Sequence, residues 1–134
     1  MSNEIVQQID QAFANLIASL KDLAGSVQPD LLLRSAAAVE QMCGGLTANL
    51  WDDPFEWTLP ETLSNTDRII EYLSEVDLAR QRAFNSIRDD SALTRYISAP
   101  VGEQLLVNLL LETLVKASDY RGRAMATRLL SRST

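Results

Sequence analysis

Residues 101–130, VGEQLLVNLLLETLVKASDYRGRAMATRLL, carry the longest apolar pattern in the chain. Leu105, Leu106, Leu109, Leu110, Leu114, Ala117, Tyr120, Ala124, Met125 and Leu129 follow the three-and-four spacing that gathers side chains on one side of a 3.6-residue helix. Thirty helical residues would extend about 45 Å, so some bending or fraying is expected. A stripe this long has to be covered by other apolar faces, and the sequence supplies three. Between Glu4 and about Ala24, Ile5, Ile9, Phe13, Leu16, Ile17, Leu20 and Leu23 predict a first helix. A second starts near Pro29-Asp30, with Asp30 available to the first amides, and runs through Leu33, Ala36, Ala37, Val39, Met42, Cys43 and Leu46. The third opens at Ser64 with Asp67 three residues on, and places Ile69, Ile70, Leu73, Val76, Ala79, Arg80, Ala83, Phe84 and Ile87 on one face up to about Arg88. Four amphipathic segments in one chain predict an all-α, up-and-down four-helix bundle, with residues 1–134 as a single domain.

The breaks between segments carry their own signals. Gly25, Ser26 and Pro29 separate the first two helices, and Asp89-Asp90-Ser91 ends the third. Gly44-Gly45 either ends the second helix or marks a close backbone approach, and continuation for one more turn is the expectation. Residues 92–100 read as a turn or short strand-like connector with Leu93, Tyr96 and Ile97 tucked inward. The segment 49–63, NLWDDPFEWTLPETL, has large apolar groups without helical spacing. Such a connection is expected to fold over an end or side of the bundle with Trp51, Phe55 and Trp57 as anchors, either capping the core or walling a pocket. The length of this connection also leaves the helix order open.

Composition removes several classes of function. The formal charge of −6 and a pI near 4.6 disfavour a nucleic-acid surface. Charge is nevertheless uneven: eight acids face one arginine between Asp52 and Asp77, whereas the stretch from Arg121 to Arg132 holds four arginines and no acid. With one cysteine, Cys43, an intramolecular disulfide is impossible; with no apolar run of membrane-spanning length and no signal-like start, a cytoplasmic protein is the expectation. The absence of histidine weighs most. One cysteine and no imidazole cannot build the usual zinc sets, a di-iron carboxylate-histidine site or a Ser-His-Asp machine, so no metal and no cofactor are expected.

A few residues could still meet a ligand. Lys116 and Tyr120 lie four apart on the last helix, so an ammonium and a phenol share one face, with Arg121 beside them. Cys43 reads first as a small buried hydrophobe; nucleophilic use would require exposure and a nearby cation. Trp51 and Trp57 complete the candidate ligand-binding set.

The stretch PVGEQLLVNLLLETLVKASDYRGRAMATRLL resembles the last helix of the DinB-like superfamily: a Val-Gly-Glu opening, a Leu-rich run, two ligand positions four apart, then Arg-Gly and a polar residue. Lys116 and Tyr120 stand where that pattern has histidines, Arg121-Gly122 keep the dipeptide and Arg123 is the polar residue. AAAVEQMCGGL at 36–46 is similar to the second-helix region that offers another histidine, with Cys43 or a neighbour at its position, and PFEWTLPETL at 54–63 resembles a connection seen in some members. The resemblance implies a four-helix bundle, frequent dimers and, where the ligands are intact, divalent-metal hydrolase or thiol-transfer chemistry. Here every imidazole position is occupied otherwise, which leaves the scaffold. The expectation is a non-catalytic DinB-like helical bundle, a homodimer binding a small molecule or a protein partner, with no nucleic acid and no membrane. The alternative is a metal-independent thiol transferase acting on an anionic substrate through Lys116, Tyr120, Arg121 and Cys43.

Overall fold

The structure, a computed structural model, describes residues 2–57, 63 and 65–132. Among these residues the helices are α1 (Glu4–Leu23), α2 (Pro29–Ala48), the single turn α3 (Pro54–Trp57), α4 (Thr66–Asn85) and α5 (Leu106–Arg132). A 3-10 turn at Asp90–Thr94 and a two-stranded antiparallel hairpin, β1 (Tyr96–Ala99) with β2 (Gly102–Leu105), join α4 to α5. The four long helices form an all-α four-helix bundle, and no helix among the described residues is long and apolar enough to cross a membrane.

Cross-helix contacts give the order that the sequence left open. A Cβ on Gly25, just past α1, would lie 3.2 Å from Thr66 at the start of α4, while Val6 at the other end of α1 donates its amide to Asp90 beyond the end of α4, so these two run antiparallel. Ser35 of α2 bonds the Ala117 carbonyl of α5, and nearer the other end Met42 shares a cavity wall with Leu109, so α2 and α5 are also antiparallel. The directions are therefore up, down, down, up. α2 packs mainly on α5 and α4, and α1 mainly on α4 and then α5, with α1 and α2 across the diagonal. The link from α2 to α4 must return along the bundle, which is why it is long.

The core is built from Phe13, Ile17 and Leu20 of α1, Leu32, Leu33, Val39 and Met42 of α2, Leu73 and Val76 of α4 and Leu110 of α5, with Phe13 and Phe84 rings 5.7 Å apart. The predicted stripes hold with local corrections. Ile5 is exposed and Val6 takes the inward place, in a first turn whose Ile5 and Val6 amides both donate to the Asp90 carboxylate. Ile70 and Leu129 lie outside the core. Ser64 falls outside the described residues; the cap of α4 is Asn65, whose side chain accepts from the Asp67 amide at 2.8 Å. α2 is entered through Gln28 and Pro29, with no capping bond from Asp30. α4 ends at Asn85, and Asp89 then caps the 3-10 turn through the Ser91 amide at 2.9 Å.

The largest correction is at the start of α5. Residues 102–105 form β2, paired to β1 from Ala99↔Gly102 to Tyr96↔Leu105, and the helix begins only at Leu106, whose amide is held by Arg95 O at 2.9 Å. The turn is left to Pro100 and Val101, and Gly102 sits at φ +117, a conformation that an L side chain would strain. Leu105 fits a helical stripe and an alternating strand equally well, so spacing alone extended the helix too far.

Candidate functional site

Glycine decides the geometry of the α2 wall. α2 continues through Gly44-Gly45 to Ala48 and ends on Asn49 in the left-handed region at φ 55. A Cβ on Gly44 would meet Leu50 O at 2.9 Å, and one on Gly45 would run into the six-membered ring of Trp51, so the chain leaving α2 folds straight back along the helix. Two hydrogen bonds fix the returning segment: Gln41 Nε2 donates to Trp51 O at 2.6 Å, and Trp51 Nε1 donates to Asn49 Oδ1 at 2.9 Å. Farther along, Phe55 is buried with the Arg34 guanidinium 3.8 Å from its ring centroid, a cation–π contact, and its amide is capped by Asp53 at 3.0 Å.

These contacts enclose a cavity of about 260 Å³ between α2 and α5, closed on one side by Trp51 and on another by the hairpin tip. Its walls are Ala38, Gln41 and Met42 from α2, Ala99 to Val101 and Gln104 from the hairpin, and Leu109, Glu112, Thr113 and Lys116 from α5. A second space of about 20 Å³, large enough for about one water, adjoins it. Arg34, Asp53, Phe55 and Tyr120 line that space, and it shares Ala38, Gln41 and Lys116 with the larger cavity. Lys116 is exposed and belongs to none of the ion pairs found among the described residues. The arrangement is an apolar pocket with polar and charged groups at its mouth, suited to hold a small amphipathic molecule.

Of the candidates read from sequence, Trp51, Lys116 and Tyr120 come together here. Arg121 does not: its Nη1 reaches Ser19 Oγ at 3.3 Å and Met125 Sδ at 3.1 Å, beside a different groove between α1 and α5. The Trp57 side chain lies outside what is described. Cys43 faces the opposite interior, 1% exposed and lining neither cavity. Burial pushes its thiol up to about 12, against the pull of the Arg80 charge. Cys43 and Tyr120 therefore do not surround one accessible cavity, as the thiol-transfer alternative requires. From α2 it is Arg34, Ala38 and Gln41, spaced by four and three, that face Lys116 and Tyr120. Sequence reasoning passed over Arg34 and Gln41; two long polar side chains on one face of a mostly apolar helix were the available signal.

A separate polar layer lies on the α1–α2–α4 side. Arg80 is only 9% exposed and bridges Asp10 and Asp77, the latter at 2.8 Å. Burial opposes its charge, but the hydrogen bonds it donates to both carboxylates prevail and raise its pKa. Glu40 accepts a hydrogen bond from the Tyr72 hydroxyl. Burial raises the Glu40 carboxyl above its ordinary 4.5, the Tyr72 bond works against this, and the Glu75 charge adds to the rise. Among the described residues no cluster of three or more Cys, Asp or Glu side chains could hold a metal ion. No family model matches the chain, and neither a curated protein nor a solved structure matches it.

Proposed function

We propose that the chain is a non-catalytic helical-bundle protein of DinB-like type whose imidazole positions have been given over to other side chains, and that it binds a small amphipathic molecule between α2 and α5. The observation that carries this reading is the cavity of about 260 Å³ with Trp51, Met42, Ala38 and Leu109 inside and Lys116 at its mouth. It is larger than the roughly 150 Å³ that accepts one benzene and just below the roughly 300 Å³ at which drug-sized pockets begin. Lys116 and Tyr120, which stand at the imidazole positions of the DinB-like motif, both border this composite space, and that supports a scaffold kept for a changed ligand. Its setting is proposed to be the cytoplasm.

A homodimer completes the reading. It is supported by the outer face of α5, where Leu111, Val115, Leu129 and Leu130 are exposed. Sedimentation velocity is expected to show twice the chain mass, shifting to a monomer in Leu111→Lys or Val115→Lys.

The ligand reading is tested by screening single-ring fragments against the full chain, with NMR following the Met42 methyl and the Trp51 indole N–H. Fragments are expected to shift both signals, and Trp51→Ala is expected to remove the response. A screen in which neither signal moves would refute the reading.

A further inference from the structure

We infer that the α2–α5 cavity takes a small zwitterion with one apolar group, the chemistry of a free hydrophobic amino acid; this deepens the ligand reading above and rests on it. The larger cavity has two charged residues in its lining, Glu112 and Lys116, one of each sign and four residues apart on α5. That spacing brings side chains together on a helix surface and normally favours an ion pair. The next acid–base pair at the same spacing, Asp119 and Arg123, is closed, with Oδ2 and Nη2 3.0 Å apart. Glu112 and Lys116 form no such contact among the described residues, although both are exposed. Beside the cavity, then, an ammonium and a carboxylate share one face of α5 without pairing with each other.

Charge balance selects the ligand. A lone carboxylate would gain Lys116 and be repelled by Glu112; a lone amine would meet the reverse. A molecule with both groups on one carbon answers each, its carboxylate to Lys116 and its ammonium to Glu112. Both protein charges are exposed, so the ligand's charged end stays hydrated at the mouth and avoids the penalty of burial. Its apolar group enters between Trp51 and Met42, where an aromatic ring finds both an indole face and a thioether. The volume admits about one ring and a short stem.

The test uses the full chain and four probes: L-phenylalanine, 3-phenylpropanoate without the ammonium, phenethylamine without the carboxylate, and toluene with neither. NMR titration follows Met42 and Trp51. L-Phenylalanine is expected to bind about fivefold more tightly than either half-ligand, the size of a partly exposed ion pair. Lys116→Gln is expected to weaken L-phenylalanine about fivefold and, by removing a like charge, to tighten phenethylamine; Glu112→Gln is expected to weaken L-phenylalanine similarly and to tighten 3-phenylpropanoate. Both substitutions are at exposed positions, and circular dichroism checks that the variants fold. A half-ligand binding as tightly as L-phenylalanine, or variants that do not discriminate in this way, would overturn the zwitterion. If toluene or a half-ligand shifts the signals and L-phenylalanine does not, the zwitterion falls and the ligand reading stands. If none of the four shifts either signal, both fall.

Discussion

Gly45→Ala puts two opposing effects on one atom. Alanine is the better helix former by up to about 1 kcal/mol, less near a helix end, and Gly45 lies in the last turn of α2. The added Cβ, however, would collide with the ring of Trp51, which is held by the Gln41 bond to its carbonyl and by its own bond to Asn49. Forcing a methyl into a packed contact costs about 1–3 kcal/mol. With the ring in place the collision wins, and Gly45→Ala is expected to destabilise the protein by about 1 kcal/mol. With the ring removed by Trp51→Ala the same change no longer meets it and is expected to stabilise by up to about 1 kcal/mol. The coupling, about 2 kcal/mol, is read from urea unfolding of the two single variants and the double variant. If Gly45→Ala has the same sign and size in both backgrounds, Trp51 does not pack on α2 as described, and the cavity it walls loses that side.

Three other perturbations probe the opposite face of the bundle. Arg80→Ala leaves the Asp10 and Asp77 carboxylates without their shared cation; breaking a buried pair costs about 3–5 kcal/mol, and because each carboxylate side chain keeps close to a third of its exposure the expected loss is about 2–3 kcal/mol in urea unfolding. Glu40 has a folded pKa raised above 4.5, so between that value and the raised one the folded state holds more protons than the unfolded state. Stability from this group therefore falls as pH rises above 4.5, and Glu40→Gln is expected to flatten that slope in urea midpoints taken across the window. The Cys43 thiol, buried and raised to about 12, is expected to resist an aromatic disulfide reagent at pH 8 until the protein unfolds; full labelling within the mixing time of native protein would contradict its placement.

The bundle was legible because helical periodicity is a local property. Phe13, Leu20, Leu73 and Leu110 announce their faces through neighbours three and four residues away, and all four are buried. The misreadings arise where a distant partner decides. Nothing near Ile5 reveals that Asp90 will cap its amide, and nothing in VGEQL reveals that Tyr96 to Ala99 will pair with it. Arg80 was visible on an apolar face, but its neutralising Asp10 lies seventy positions away on another helix. The site was half legible for the same reason. Lys116 and Tyr120 share a helix face by spacing alone, whereas Arg34, Gln41 and the hairpin tip join them only through the packing of α2 on α5.

The helix order itself accounts for where the cavity lies. Because α2 and α4 point the same way, the chain between them has to travel back the length of a helix of twenty residues, about 30 Å. It begins that return against α2, where two glycines let Trp51 approach and Phe55 settles under Arg34. The second connection does not travel, since α4 ends and α5 begins at the same end of the bundle, yet it spends residues 96–105 on a hairpin that folds beside the α2–α5 seam. Two walls of the cavity are thus regular helices fixed by the core, and the other two come from connections whose side chains contribute less to the bundle's packing: Val101 at the hairpin tip is 91% exposed. Substitutions at Val101 or Gln104 are therefore free to retune what the cavity accepts while Leu33, Leu73 and Leu110 keep the scaffold folded, which separates ligand choice from stability in a chain of modest size.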